Sequence, residues 1–237
     1  MRRFLFLALF IMLLTAIAIL PGCAGTGAPE GAVEAEVPHF TDSTPLKNEV
    51  YAAQPINVTL NFDLTLEAGS DISVISEDGR EWVENILIED NDTALKGTLG
   101  RDMPDGEYSL SYTARLVDGS ANHGGLSFSI DSNLQQSYQD LRAEGEVVVG
   151  MSNLKFIPEK TMIKPGTRVT WVNNEDAEHF INTETHPEHT YYPPQNSLGI
   201  TRGASFSVVF DIPGQYNYHC SAHYGQGMVG SIIVANP

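Results

Sequence analysis

Cysteine is scarce in this chain of 237 residues, with two in all and only Cys220 beyond residue 25. Positive charge is scarce too: 13 Lys and Arg stand against 30 Asp and Glu, a formal charge of −17 at pH 7. That deficit argues against nucleic acid as a partner and against direct binding to an anionic lipid surface. No His-x-His pair occurs among the seven histidines, and Met103 is the only methionine between residues 38 and 131. The length suits one domain of ordinary size or two small ones.

The chain opens MRRFLFLALFIMLLTAIAILPGCAG: two arginines, an uncharged run from Phe4 to Leu20 that is apolar but for Thr15, then Cys23. This layout reads as a secretory signal over residues 1–22. A retained transmembrane anchor is the alternative, because a run of 17 uncharged residues lies at the short end of what crosses a bilayer. LPGC resembles the lipobox of bacterial lipoproteins, with Pro21 in place of the usual small residue. The resemblance implies lipidation of Cys23 and an extracytoplasmic chain anchored to a membrane through lipid. Loss of Arg2 and Arg3 with the signal would deepen the negative charge. With Cys23 so used, Cys220 has no intramolecular partner in an oxidising compartment. It must be buried and inert, paired between chains, or bound to something.

Residues 23–37 are small, acidic and poor in large apolar side chains, and read as a flexible tether. Over 38–131, short alternating runs such as INVTLNF, ISVISE and YSLSYTARLV are separated by EAGSD, EDGR, MPDG and DGSANHGG. That pattern predicts a β-sandwich. Residues 132–146 break it and read as a linker. Asp131 or Ser132 is placed to cap a short helix with Leu134, Tyr138 and Leu141 on one side. A second β block fills 147–237, with turns at KPG and IPG and a long loop, NTETHPEHTYYPPQNSLGI, of little period. The fold class is therefore all-β, two β-sandwich domains in series. The second is small enough that a metal stitch would help it.

Cys220 ends a strand in YNYHCSAHYGQGMVG, and His223 and Met228 follow in the adjoining turn. A tight loop can bring all three side chains to one point. His179, in NNEDAEHFIN, follows a strand and can face the same end of the sandwich. Thiolate, two imidazoles and a thioether form a soft, mixed set of the kind used at blue-copper centres; zinc fits the first three but leaves the methionine unexplained.

Residues 147–235 resemble the cupredoxin family, in the style of plastocyanin and pseudoazurin. The likeness rests on CSAHYGQGMVG (Cys-x2-His-x4-Met), IPGQYNYHC, NLKFIPEKTMIKPGTRVTWVNN and EHFI, in family order. It implies a Greek-key sandwich and one type 1 copper held by His179, Cys220, His223 and Met228, with single-electron transfer as its usual role. Asn174, or its neighbour Asn173, is a candidate for tying the His179 loop to the cysteine loop by hydrogen bonds. His186 and His189 read as solvated loop residues. His219 should point away from the Cys220 side of its strand and reads as a surface histidine. It also resembles the His-Cys pair that links two copper centres in copper nitrite reductases and multicopper oxidases. The missing His-x-His pairs count against such an enzyme.

PHFTDSTPLKNEVYAAQPINVTLNFDLTL and DGEYSLSYTARLVDGSANHGGLSFSI resemble the CopC-like periplasmic copper-resistance family. The resemblance implies an immunoglobulin-like sandwich. His39 matches the family's first histidine, although it lies 16 residues beyond Cys23 and would have no free amine. Asp118 matches the aspartate, whereas Ser120 stands where the second histidine belongs and His123 is displaced by three. His39, Asp118 and His123 could form a weaker Cu(II) site; a spacer or docking module without metal is the other reading. No methionine-rich Cu(I) stretch is present. Three roles follow for the whole chain: a membrane-tethered electron carrier, a copper storage, delivery or resistance protein, and a structural or adhesion protein. The acidic surface would suit a basic docking surface on a redox partner, and a solubility or high-salt adaptation reads the same way.

Overall fold

The computed structural model describes residues 39–236, so the expected signal, the tether and Cys23 lie outside the described residues. Eight strands come first: β1 (Phe40–Thr44), β2 (Val50–Tyr51), β3 (Asn57–Phe62), β4 (Asp71–Ser76), β5 (Val83–Glu89), β6 (Ala94–Leu99), β7 (Gly106–Arg115) and β8 (Ala121–Ile130). They form two sheets, β1-β3-β6-β5 and β2-β8-β7-β4. Alternation sets the core. Along β7, Tyr108, Leu110, Tyr112 and Ala114 are buried while Glu107, Ser109 and Ser111 are exposed. The inward residues pack with Val58, Leu60 and Phe62 of β3. Each large apolar side chain buried this way contributes about 1.5–3 kcal/mol.

Nine more strands follow: β9 (Gln139–Asp140), β10 (Glu146–Ser152), β11 (Lys155–Ile157), β12 (Lys160–Ile163), β13 (Thr167–Asn173), β14 (Asn182–Thr183), β15 (Ser205–Phe210), β16 (Gly214–His219) and β17 (Val229–Val234). Their sheets run β11-β10-β13-β15 and β14-β16-β17-β12-β9. Trp171 of β13 is fully buried between them, with Val149, Phe210, Tyr218 and Ile232. Among the described residues, no helix is long and apolar enough to cross a membrane.

The segment between the sandwiches holds a short 3-10 helix, Ser132–Ser137, capped by Asp131, whose Oδ1 accepts the Asn133 N–H at 3.0 Å. Leu134 is exposed, so this helix buries no apolar stripe. β9 then pairs with β12 and extends the second sandwich into the segment read as linker.

The two sandwiches are joined by buried polar contacts. Gln215 Oε1 accepts the Ala52 and Ala53 N–H groups at 2.7 and 3.1 Å. The Tyr191 hydroxyl accepts the Ile56 N–H and donates to the Gln215 carbonyl, both at 2.8 Å. Thr190 Oγ1 donates to Asn61 Oδ1 at 2.8 Å. The long loop after β14 is therefore pinned against β3 of the first sandwich.

Candidate metal centre

Tyr216, Tyr218 and Cys220 alternate along β16 and its end, so all three face the core. The chain then turns through a 3-10 helix, Ser221–Gln226. The Cys220 N–H donates to the Met228 carbonyl at 3.0 Å, and the His223 N–H donates to the Cys220 carbonyl at 3.0 Å. Gly227 closes the loop with a φ of 77°, a left-handed conformation that favours glycine. Met228 is thereby returned to the core beside Cys220, and both are fully buried.

His179 arrives from the loop after β13. Its N–H donates to the Ile200 carbonyl at 3.1 Å, and its carbonyl accepts the Ile200 N–H at 2.8 Å. Asn173 fixes this loop from within the core. Its Nδ2 donates to the carbonyls of Ala177 and Ile200 at 2.7 and 2.8 Å, and its Oδ1 accepts the Glu175 N–H at 2.9 Å. Asn174 is exposed and makes none of these bonds. Glu175, which sequence reasoning passed over, lies with Oε1 2.8 Å from His179 Nε2. The N–H of Leu154, foremost, and that of Asn153 also bond the Glu175 carboxylate; with His179 they hold it below the usual carboxylate range.

The other ring nitrogen, His179 Nδ1, lies 3.6 Å from Cys220 Sγ, and His223 Nδ1 lies 3.3 Å from it. The two rings sit 4.9 Å apart. The Phe180 N–H points at the same sulfur from 3.4 Å. His179 is fully buried, whereas His223 is the partly exposed member. One sulfur and two imidazole nitrogens converging in an apolar pocket fit a thiophilic ion that also accepts imidazole.

The remaining candidates are placed differently. His39 Nδ1 pairs with Asp63 Oδ1 at 2.7 Å, and His123 Nδ1 with Thr113 Oγ1 at 3.0 Å. Asp118 is engaged by Ser120, whose hydroxyl and N–H lower its carboxyl. Among the described residues, His39, Asp118 and His123 do not converge as the cysteine set does.

Two readings of the histidines need correction. His219 does lie on the β16 face opposite the core, but it is buried at 3% exposure instead of solvated. That face is covered by the 184–196 loop and the first sandwich, which strand alternation cannot reveal. Likewise, His189 is half-buried against His219, with Nε2 atoms 3.1 Å apart. Of these three, His186 alone is exposed.

A buried cysteine between two histidines at one end of an all-β sandwich defines a cupredoxin-type copper protein. Residues 143–235 match the family described as copper binding proteins, plastocyanin/azurin family, and residues 40–131 match the CopC domain. Plastocyanin from Scenedesmus fuscus is 36% identical over 94 residues, covering 34% of this chain and 87% of that protein. Chloroplastic plastocyanin from Chlamydomonas reinhardtii is 35% identical over 101 residues, 39% of this chain and 68% of that one. The crystal structure of CopC from Methylosinus trichosporium OB3b aligns with 39% of this chain and 92% of its own, at 26% identity and a TM-score of 0.37. The chain belongs to the plastocyanin/azurin family of copper binding proteins, and its cofactor is copper.

Proposed function

We propose that the protein is a membrane-tethered, extracytoplasmic electron carrier, with one type 1 copper held by His179, Cys220, His223 and Met228. The observation that carries this reading is the approach of two Nδ1 atoms to the buried Cys220 sulfur, at 3.6 and 3.3 Å. Copper, when bound, supplies one-electron Cu(I)/Cu(II) chemistry. The chain supplies a fixed set of ligands: Glu175 orients the His179 ring, Asn173 holds its loop, and the Gly227 turn returns Met228 to the core. A set that does not rearrange between oxidation states keeps the reorganisation accompanying electron transfer small. In this reading the chain carries electrons and is not an enzyme.

The partners are redox proteins. The charge of −17 suits a basic docking surface on them, with steering that weakens as salt rises. Tethering would come through lipidated Cys23. The CopC domain match favours a second reading, copper storage, delivery or resistance. Voltammetry of the purified, copper-loaded chain separates the two. Reversible one-electron cycling with retained metal supports the carrier, and rapidly exchanging copper with poor reversibility supports handling.

A further inference from the structure

The copper centre leaves one cluster of metal-binding side chains unused. His186, His189 and His219 each present a ring nitrogen, and all three nitrogens lie within 4.8 Å of one another. His189 Nε2 is 3.3 Å from His186 Nδ1 and 3.1 Å from His219 Nε2. The rings form a near-equilateral group, with centroids 5.4, 5.2 and 5.0 Å apart. His219 ends β16, while His186 and His189 lie three residues apart on the pinned loop.

Hydrogen bonding alone accounts poorly for this packing. Among the described residues, the cluster's hydrogen-bond neighbours are the three rings themselves and Ser221. Ser221 Oγ sits 3.2 Å from His189 Nε2 but donates its proton to Asn182 Oδ1 at 2.7 Å. One nitrogen, His189 Nε2, is thus close to three polar atoms and can donate to at most one of them. Imidazole nitrogens that converge in this way are what a metal ion needs.

The surroundings suit a cation. The cluster borders a cavity of about 380 Å³ between the sandwiches, lined also by Asp42, Glu184 and Tyr224. Asp42 Oδ2 is buried there without a hydrogen-bond partner, and the Asp42 charge acts on His189. The first sandwich supplies Asp42 and also holds the loop, through Asn61 to Thr185 and Thr190.

We propose that His186, His189 and His219 form a second metal site, specific to the junction of the two sandwiches, which takes Cu(II). Imidazole nitrogens suit copper, nickel and zinc, and copper binds most tightly in that series. Three protein ligands leave coordination positions for water or a small anion from the cavity. The site is joined to the first copper centre through the chain itself. His219 is bonded to Cys220, and Tyr224, which follows His223, packs 4.9 Å from both His186 and His219.

Cu(II) titration of the full chain, followed by dialysis with metal analysis and by electron paramagnetic resonance, tests this. The wild type should bind a second equivalent with a separate signal of wide copper hyperfine splitting. His186→Ala, at an exposed position, should weaken that equivalent by at least about tenfold, a loss that even a supporting residue can produce. His186→Ala/His189→Ala should abolish it, and His39→Ala/His123→Ala should leave it intact. Red absorption from the first equivalent reports that each variant is folded. The proposal is overturned if the wild type takes no second equivalent, if His186→Ala binds it unchanged, or if the His39 variant loses it. Failure of the carrier reading would show separately, as absent red absorption or irreversible voltammetry.

Discussion

Glu175 Oε1 and His179 Nε2 are 2.8 Å apart, on the side of the ring away from the Nδ1 that faces Cys220. The carboxylate fixes which nitrogen keeps its proton and which is free for metal. Glu175→Ala should lower copper affinity about 10–100-fold, the usual cost of removing such a partner. Glu175→Gln, which can still accept a hydrogen bond, should recover much of it. Competition with a chelator measures both; equal affinity in all three proteins would remove Glu175 from the site.

The Tyr191 hydroxyl is the central polar link between the sandwiches, bonded to Ile56 N–H and Gln215 carbonyl. Tyr191→Phe removes the hydroxyl that bonds both backbone groups. The expected loss is about 1–3 kcal/mol in unfolding free energy. Urea denaturation should show it as a lower midpoint, and an unchanged midpoint would mean water replaces the hydroxyl.

Glu184 makes stability depend on pH. Burial, ahead of the Glu49 charge, pushes its carboxyl up to about 7 from the ordinary 4.5. The folded chain therefore holds a proton that the unfolded chain has already released. This group's favourable contribution is complete below about pH 4.5 and is lost as pH rises through about 7. Glu184→Gln should raise the unfolding free energy of the copper-free protein, from urea denaturation at pH 8, by about 1–3 kcal/mol and leave it unchanged near pH 4. A variant equally destabilised at both pH values would contradict this.

The Cys220–His223–Met228 loop was legible because its residues lie close in sequence and the loop closes on local backbone bonds. Strand alternation was equally readable in β4 and β7, where one face is buried and the other largely wet, whereas β3 alternates in sequence but is buried on both faces. It failed at β5 and β6: β5 mixes exposed and half-buried residues without period, and the hairpin turns through Asp90, Asn91 and Asp92, all with positive φ. The meeting of His179, Cys220 and His223 could be anticipated from order in the sequence, whereas of the two asparagines offered it is Asn173 and not the first-named Asn174 that bonds the His179 loop. Glu175 and the three-histidine cluster could not be anticipated, since one depends on loop closure and the other on the first sandwich covering β16.

The most direct measurement is the visible spectrum during Cu(II) titration of the wild type and of Cys220→Ser. The wild type should develop intense red absorption that saturates with the first equivalent, and Cys220→Ser should develop none. Intense absorption in the variant, or its absence in a folded, copper-loaded wild type, would contradict a type 1 centre at Cys220.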